Sequence, residues 1–241
     1  MRKQQADIEQ QDNPFSLSIG DLMAALLLIF VLLLASTLLR LQEEFENKAK
    51  VAERYSEVKE ALYLKLLDEF GDDLEEWNAD LDPHNLSIRF KEPDILFAKS
   101  KSEVKDEFKK VLNDFFPRYI RVLSLPQFIN SVEEVRIEGH TDSDGPTRGT
   151  NRDDDYFYNM ALSQDRTRSV LAYALSTLEA NDTTKGWVQE RLTANGLSSS
   201  KPIISEKSGQ EDKNASRRVE FRIRTNAEEQ IQEILNYSQA D

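Results

Sequence analysis

The chain has 241 residues, a formal net charge of -13, a sequence pI near 4.8, no cysteine and two histidines. That length leaves room for one extramembrane domain of ordinary size beside an anchor and a connector. The acid excess argues against nucleic acid, whose binders show a basic footprint. The missing cysteines and scarce histidines exclude a disulfide framework, a thiolate metal site and a His-rich metal cluster.

Residues 1–16 are polar, with Pro14 just ahead of an apolar run, Leu17 to Leu39, that reads LSIGDLMAALLLIFVLLLASTLL. At about 1.5 Å per residue this run is about 34 Å long, enough to cross a hydrocarbon core of about 30 Å. From Leu22 to Ala35 no polar face interrupts it, as one would in a soluble helix. It exceeds the h-region of a signal peptide, about 7–15 residues, and no small-x-small cleavage site follows. Residues 17–39 are therefore expected to form a transmembrane helix behind a tail at 1–16. Arg2 and Lys3 favour a cytoplasmic tail, which puts the C-terminal domain outside the inner membrane.

The run holds one ionisable side chain, Asp21. An acid in a spanning segment is costly in lipid, faces protein or water, and is by default a functional residue such as a proton relay. Ala24 and Ala25 lie on the same side of the helix, and Ala35 returns to it further along, so neighbouring helices can pack close there. A plainer reading stands beside this one. Ser18 and Asp21 have the spacing of a capping pair, and an acid in a first turn suits the helix dipole.

Arg40 to Phe70 is charged and free of Gly and Pro, so the helix is expected to continue. Leu41, Phe45, Ala52, Tyr55, Leu62 and Leu66 fall near a 3.5-residue spacing, interrupted by Lys48 and Lys59. A parallel coiled coil, a solvated stalk and an amphipathic helix on the membrane all satisfy that pattern. Gly71 ends it, an acidic stretch runs from Asp72 to Asp82, and the helical connector is assigned to 40–84.

The folded domain is assigned to 85–241. Leu86, Ile88 and Phe90 alternate with polar residues as in a half-buried strand. Pro93 breaks that pattern, and Ile95 to Phe97 is a second short apolar piece. Ser100 with Glu103 reads as a capping box for a helix carrying Val104, Phe108, Val111, Leu112 and Phe115, which Pro117 bends or ends. Val132 to Glu138 alternates again and runs into Gly139-His140-Thr141-Asp142. A polar loop follows, through Asp153-Asp154-Asp155. Leu162, Arg166, Val170, Leu171, Ala174, Leu175 and Leu178 describe a second amphipathic helix, and a shorter one includes Trp187 and Val188. Arg191 to Leu197 and Val219 to Ile223 complete the strands, with a terminal helix over Glu228 to Tyr237. Strands separated by helices, with the last strand returning to the sheet, give an α/β sandwich. No G-x-S-x-G, P-loop or dinucleotide fingerprint is present.

Three ordered motifs then stand out: Ile137-Glu138-Gly139-His140-Thr141-Asp142, Asn159-Met160-Ala161-Leu162-Ser163-Gln164-Asp165-Arg166 and Arg217-Arg218-Val219-Glu220. With Ile95-Leu96-Phe97 and the Gly196 to Pro202 spacing, they resemble the OmpA-type peptidoglycan-binding domain from about Leu86 to Arg224. The resemblance implies an OmpA-like α+β sandwich with a pocket for the diaminopimelate of peptidoglycan stems. Asp142 would face the ligand's ammonium group and Arg166 its carboxylate, with Arg218, Thr141 and Asn159 in the same site. A zwitterion asks for one acid and one base in fixed relation, and guanidinium grips carboxylate at two points. A helix onset near Leu162 would add N–H donors. The chain departs from the family in having Thr167 where Ala is usual, Ser216 where Asn precedes the arginine pair (with Asn214 two residues earlier), and a longer acidic loop, 144–158.

Simpler roles remain for several of these residues. His140 has no nucleophile or metal partner nearby in sequence and reads as a turn residue. The triple Asp reads as a solvated loop or a cation site, and Asp142 with Arg166 could form an internal salt bridge. Strand alternation would turn Arg217 to solvent and Arg218 inward.

One span with an early acid, a helical connector and an OmpA-like domain is similar to the B subunit of MotB-type stator motors. Gly20-Asp21-Leu22-Met23 matches the position of their proton-carrying acid. The short N-terminus and the acidic insertion are most similar to B subunits of Zorya-type anti-phage systems. This resemblance implies a proton-driven motor unit with Asp21 as relay, a multi-span A subunit (a pentamer) as partner, a second copy of this chain, and attachment to peptidoglycan. The proton is the coupling ion; no cofactor, metal or enzymatic activity is expected. A flagellar-type stator and a static wall tether are the alternatives.

Overall fold

The computed structural model describes residues 14–91, 93–98, 100–147, 150–179 and 184–226. The helix expected over Glu228 to Tyr237 and most of the tail at 1–16 lie outside the described residues. The chain divides into two compact units, 1–50 and 51–241.

The first unit is helical. Helix α1, Pro14–Phe70, begins with a proline, whose fixed φ suits a first helical position and whose missing N–H is no loss there. Its apolar stretch, Ile19–Glu46, is long and apolar enough to cross a membrane, with a mean hydropathy of 2.9 in its best window. Thr37 Oγ1 donates back to Leu34 O at 2.8 Å, so this hydroxyl is satisfied within the helix.

The second unit contains the end of α1, strands β1 (Ala79–Asp82) and β2 (Ser87–Phe90), a short α2 (Pro93–Leu96), α3 (Asp106–Leu123), β3 (Val132–His140), α4 (Arg152–Thr177), α5 (Lys185–Arg191), β4 (Leu192–Gly196), α6 (Lys213–Ser216) and β5 (Arg218–Thr225). The sheet order is β1-β2-β5-β3-β4; β3 and β4 are parallel and the other pairs antiparallel. The parallel pair needs a long crossover, which α4 and α5 supply.

Side-chain alternation gives the sheet two different faces. Ile88, Phe90, Ile137, Val219, Phe221 and Ile223 are buried on the helix side. There the rings of Phe90, Phe115 and Phe221 meet at centroid distances of 5.1, 5.0 and 5.9 Å. Burying each such side chain contributes about 1.5–3 kcal/mol. The opposite face carries a row of register partners, Asp80, Arg89, Glu220, Glu138 and Asn195, one from each strand.

Several expectations are corrected. The sheet starts at Ala79, ahead of Asn85, because Arg89 gathers the acids of β1: it reaches Asp80 at 3.1 Å and Asp82 at 3.3 Å. The connector pattern is divided. Leu62, Leu66 and Phe70 are fully buried in the domain's own core, so the end of α1 is part of the fold rather than a free stalk or coiled-coil seam. The short apolar piece at 95–97 ends the helical turn α2 and continues into Phe97, which bridges to Val104. Helix α3 begins at Asp106 with Lys105 as N-cap and no side-chain capping bond, so Ser100 and Glu103 form no capping box. It also runs through Pro117 to Leu123: buried Phe115, Phe116, Tyr119 and Ile120 hold the helix across the missing hydrogen bond.

The triple Asp is helical rather than a loop. Asn151 caps α4, its side chain accepting from Asp154 N at 3.3 Å, and three acids in the first turn face the positive end of the helix dipole. Asp155 is buried and accepts from Thr147 N at 2.8 Å. The helix onset therefore lies at Arg152, not near Leu162, and no helix-end N–H groups are offered there.

Candidate functional site

Asp21 lies well inside α1, which has no acid in its first turn, so the plain capping reading of Ser18 and Asp21 is overturned. It is exposed, as are the flanking apolar residues.

The site in the domain forms where β3 and β4 end beneath α4. Gly139 and Gly196 are register partners, and Ser163 of α4 crosses directly over both. A Cβ on Gly196 would stand 2.3 Å from Gln164 N, and one on Gly139 3.0 Å from Ser163 O and 2.6 Å from Thr167 Cγ2. Thr167, where the family has Ala, is satisfied by donating to its own helix at Ser163 O and Gln164 O. Ser163 Oγ in turn accepts from Ser198 N at 3.1 Å, Ser198 Oγ donates to Tyr156 O at 2.9 Å, and Ser198 O accepts from Thr141 N at 2.9 Å. Sequence reading missed Ser198; its left-handed φ of 52° and complete burial show how tightly this corner is held.

Thr141 and Asp142 leave β3 into a loop that Asn159 pins. The Asn159 amide donates to Asp142 O at 3.2 Å and Asp144 O at 2.8 Å. Asp142 Oδ1 accepts from Asp144 N, and Oδ2 accepts from Arg217 Nη1 at 2.7 Å. Arg217 therefore does not point only to solvent. It precedes β5 as the C-cap of α6, where strand alternation does not apply, and Asn214 Oδ1 takes its Nη2 at 2.6 Å. Asp212 caps α6 through Asn214 N and Ala215 N, and Ser216 Oγ accepts from Ile203 N, so both departures near the arginine pair have structural partners.

Arg166 and Arg218 meet elsewhere. Arg166 Nε donates to Lys101 O at 3.0 Å and its guanidinium lies 4.9 Å from the Phe97 ring centre. Arg218 turns inward, donating to Glu220, Lys201 O and Ser216 O. The two arginines share a cavity with Phe97, Gly139, His140 and Ser163 that offers ≈ 10 Å³, about the room for one water. Asp142 does not line it and forms no salt bridge with Arg166, so the internal-bridge reading is not what the structure shows. Thr141 and Asn159 stand with Asp142, whereas Arg166 and Arg218 stand together.

Beside that cavity, Glu138, His140 and Glu220 converge, with ligand-type atoms within 4.8 Å of one another. His140 ends β3 as a buried strand residue rather than a turn residue, and neither ring nitrogen has a hydrogen-bond partner among the described residues. Burial pushes its pKa below the ordinary histidine value, chiefly by desolvation. Glu220 Oε1 already accepts from Arg218 Nε at 2.5 Å and Arg89 Nε at 3.0 Å. Burial alone would raise its pKa, yet the two guanidinium charges hold it at about 2. Oε1 of Glu220 is thus shared by two guanidiniums, which tie this acid into an ion-pair network beside His140 and Glu138.

A mixed sheet with Thr141-Asp142 leaving one strand, an arginine pair entering its neighbour, and an apolar helix long enough to span a bilayer fit an OmpA-like domain that follows one candidate membrane span. No family model matches the chain. Over 227 residues it is 43% identical to the Zorya protein ZorB of Escherichia coli, covering 94% of each. The chain belongs to the ZorB family. It is also similar to a peptidoglycan-associated lipoprotein of Buchnera aphidicola, 35% identical over 111 residues, which is 45% of this chain and 49% of the other. Among solved structures, a putative MotB-like protein from Desulfovibrio vulgaris superposes with a TM-score of 0.49 at 23% identity, covering 73% of this chain and 94% of that one.

Proposed function

We propose that this chain is the B subunit of a proton-driven, stator-like motor of the bacterial inner membrane, anchored to peptidoglycan and acting in anti-phage defence. The observation that carries the reading is the likeness to ZorB, which runs through the apolar span and the domain alike. The chain crosses the membrane once, tail in the cytoplasm and domain in the periplasm, beside a multi-span A subunit and a second copy of itself. Asp21 takes up and releases the proton, and no enzyme chemistry or cofactor is involved.

Protonation of Asp21 changes the balance of two conformations only if they hold the acid differently. One charge crossing the membrane provides about 2.3 kcal/mol per 100 mV, so each step is a small repacking of helices against the Ala24 and Ala25 side of α1. The domain keeps that step from being lost as free drift: Asp142 receives the ammonium group of the wall's stem peptide, and Arg166, with Arg218 behind it, the carboxylate. The cavity beside Arg166 and Arg218 has room for about one water, ≈ 10 Å³, so this reading requires the site to open when the stem peptide binds.

Asp21→Asn keeps shape and hydrogen bonding without a proton to exchange. It is expected to abolish phage protection while sedimentation with purified peptidoglycan is unchanged. Retained protection would reduce the chain to a static tether, in which only Asp142→Ala, by releasing the protein from the wall, has an effect.

A further inference from the structure

Helix α4 buries Asp155, Asn159, Ser163 and Arg166 along one face. At about 100° per residue, Phe157 stands about 200° from Asp155, on the far side of the helix. The core gives no reason for an aromatic ring there. Yet among the side chains described in the second unit, every exposed aromatic one falls in this turn: Tyr156, Phe157 and Tyr158 are 39%, 69% and 39% exposed. The rings of Tyr156 and Phe157 meet edge to face, with centroids 5.9 Å apart and planes at 76°, a contact that steadies both. One turn before Phe157 stands the exposed carboxylate of Asp153. One turn after it comes the exposed Ala161, whose single methyl group leaves the space beyond the ring open.

Hydrogen bonds tie this turn to the end of β3 on either side of the rings. Tyr156 O accepts from Ser198 Oγ, and Ser198 O accepts from Thr141 N. Asn159, one residue beyond Tyr158, donates to Asp142 O. The aromatic pair therefore keeps a fixed relation to whatever Thr141 and Asp142 hold. Given the wall-binding reading above, on which this rests, we propose that Tyr156 and Phe157 are a stacking platform for a sugar ring of the wall's glycan strand, next to the stem-peptide site. A pyranose has a C–H face that packs on an aromatic ring, and hydroxyls around its edge that donate to carboxylates. Phe157 supplies the ring and Asp153 an acceptor. The stem peptide is carried on the glycan, so a sugar arrives beside the site together with it. Asp153 and Asp154 flank the rings and repel an anionic lipid surface, the other common partner of exposed aromatics.

Full-length protein in detergent is titrated by calorimetry with two probes built on one diaminopimelate-containing stem peptide. One probe is the free peptide; the other carries the N-acetylglucosamine–N-acetylmuramic acid disaccharide. The disaccharide is expected to tighten binding about tenfold, the scale of covering one aromatic ring. Phe157→Ala, at an exposed helical position, is expected to erase that gain and leave the affinity for free peptide unchanged, while Phe157→Trp keeps it. Equal affinity of the wild type for the two probes overturns the platform and leaves the wall reading standing. So does a gain that survives Phe157→Ala, or a loss equal for both probes. Binding of neither probe overturns the wall reading and the platform together. If Phe157→Ala instead splits a dimer while the disaccharide gain persists, the pair belongs to a contact with a second copy and the proposal falls.

Discussion

Arg217 Nη1 holds Asp142 Oδ2 at 2.7 Å, so the acid expected to meet a ligand is already engaged by a cation of its own chain. Asp142 is nearly buried while Arg217 is about one-third exposed. A charge-assisted hydrogen bond in such a setting contributes about 1–2 kcal/mol. A double-mutant cycle of Asp142→Ala and Arg217→Ala, followed by urea unfolding, is expected to give a coupling energy of that size. Independent effects would show that the pair is not formed in solution.

Glu220 links Arg89 and Arg218 across the charged face of the sheet. Glu220→Gln leaves both guanidiniums without their shared anion and is expected to cost about 3 kcal/mol or more at pH 7. Its folded pKa of about 2 lies below the ordinary 4.5. The stability it contributes is therefore complete above about pH 4.5 and is lost as the pH falls towards 2. Thermal midpoints of the wild type should fall through that window, and those of Glu220→Gln should fall less.

Gly196→Ala would drive a methyl group into the backbone of α4 at Gln164. Backbone cannot swing aside as a flexible side chain can, so a loss of about 1–3 kcal/mol is expected by denaturant unfolding. Wall binding should fall with it, since Ser163 and Ser198 are held by the same close approach.

Tyr119 is fully buried and its hydroxyl has no hydrogen-bond partner among the described residues. Desolvation holds its pKa well above the ordinary tyrosine value. Tyr119→Phe removes an unsatisfied polar atom and keeps the stacking on Phe115, whose ring centre is 4.9 Å away. A gain of about 1 kcal/mol is expected, against a loss if the hydroxyl were bonded.

Legibility followed the range of the interactions. The alternation of Val219, Phe221 and Ile223 and the run to Gly196 marked their strands because a strand's pattern is written in neighbouring residues. Strand β1 was hidden because its acids are paired by Arg89 from the next strand rather than by anything local. The onset of α4 was hidden because Asp153-Asp154-Asp155 looks like loop composition, although acids in a first helical turn are favoured by the dipole. The ordered motifs that marked Asp142, Thr141 and Asn159 do meet in space; Ser198, which ties Thr141 to Ser163 of α4, has no signature of its own.

By itself, the sequence determined that the chain carries an apolar span with a single acid and that an alternating β and α pattern follows it. Hydrophobic length and period are local properties. Only the tertiary structure decided that the end of α1 belongs to the domain core, that Arg217 rather than Arg166 holds Asp142, and that Glu138, His140 and Glu220 converge beside Arg89 and Arg218. Each depends on which distant residues meet across strands and helices, and in a buried place the nearest opposite charge settles what a polar side chain does.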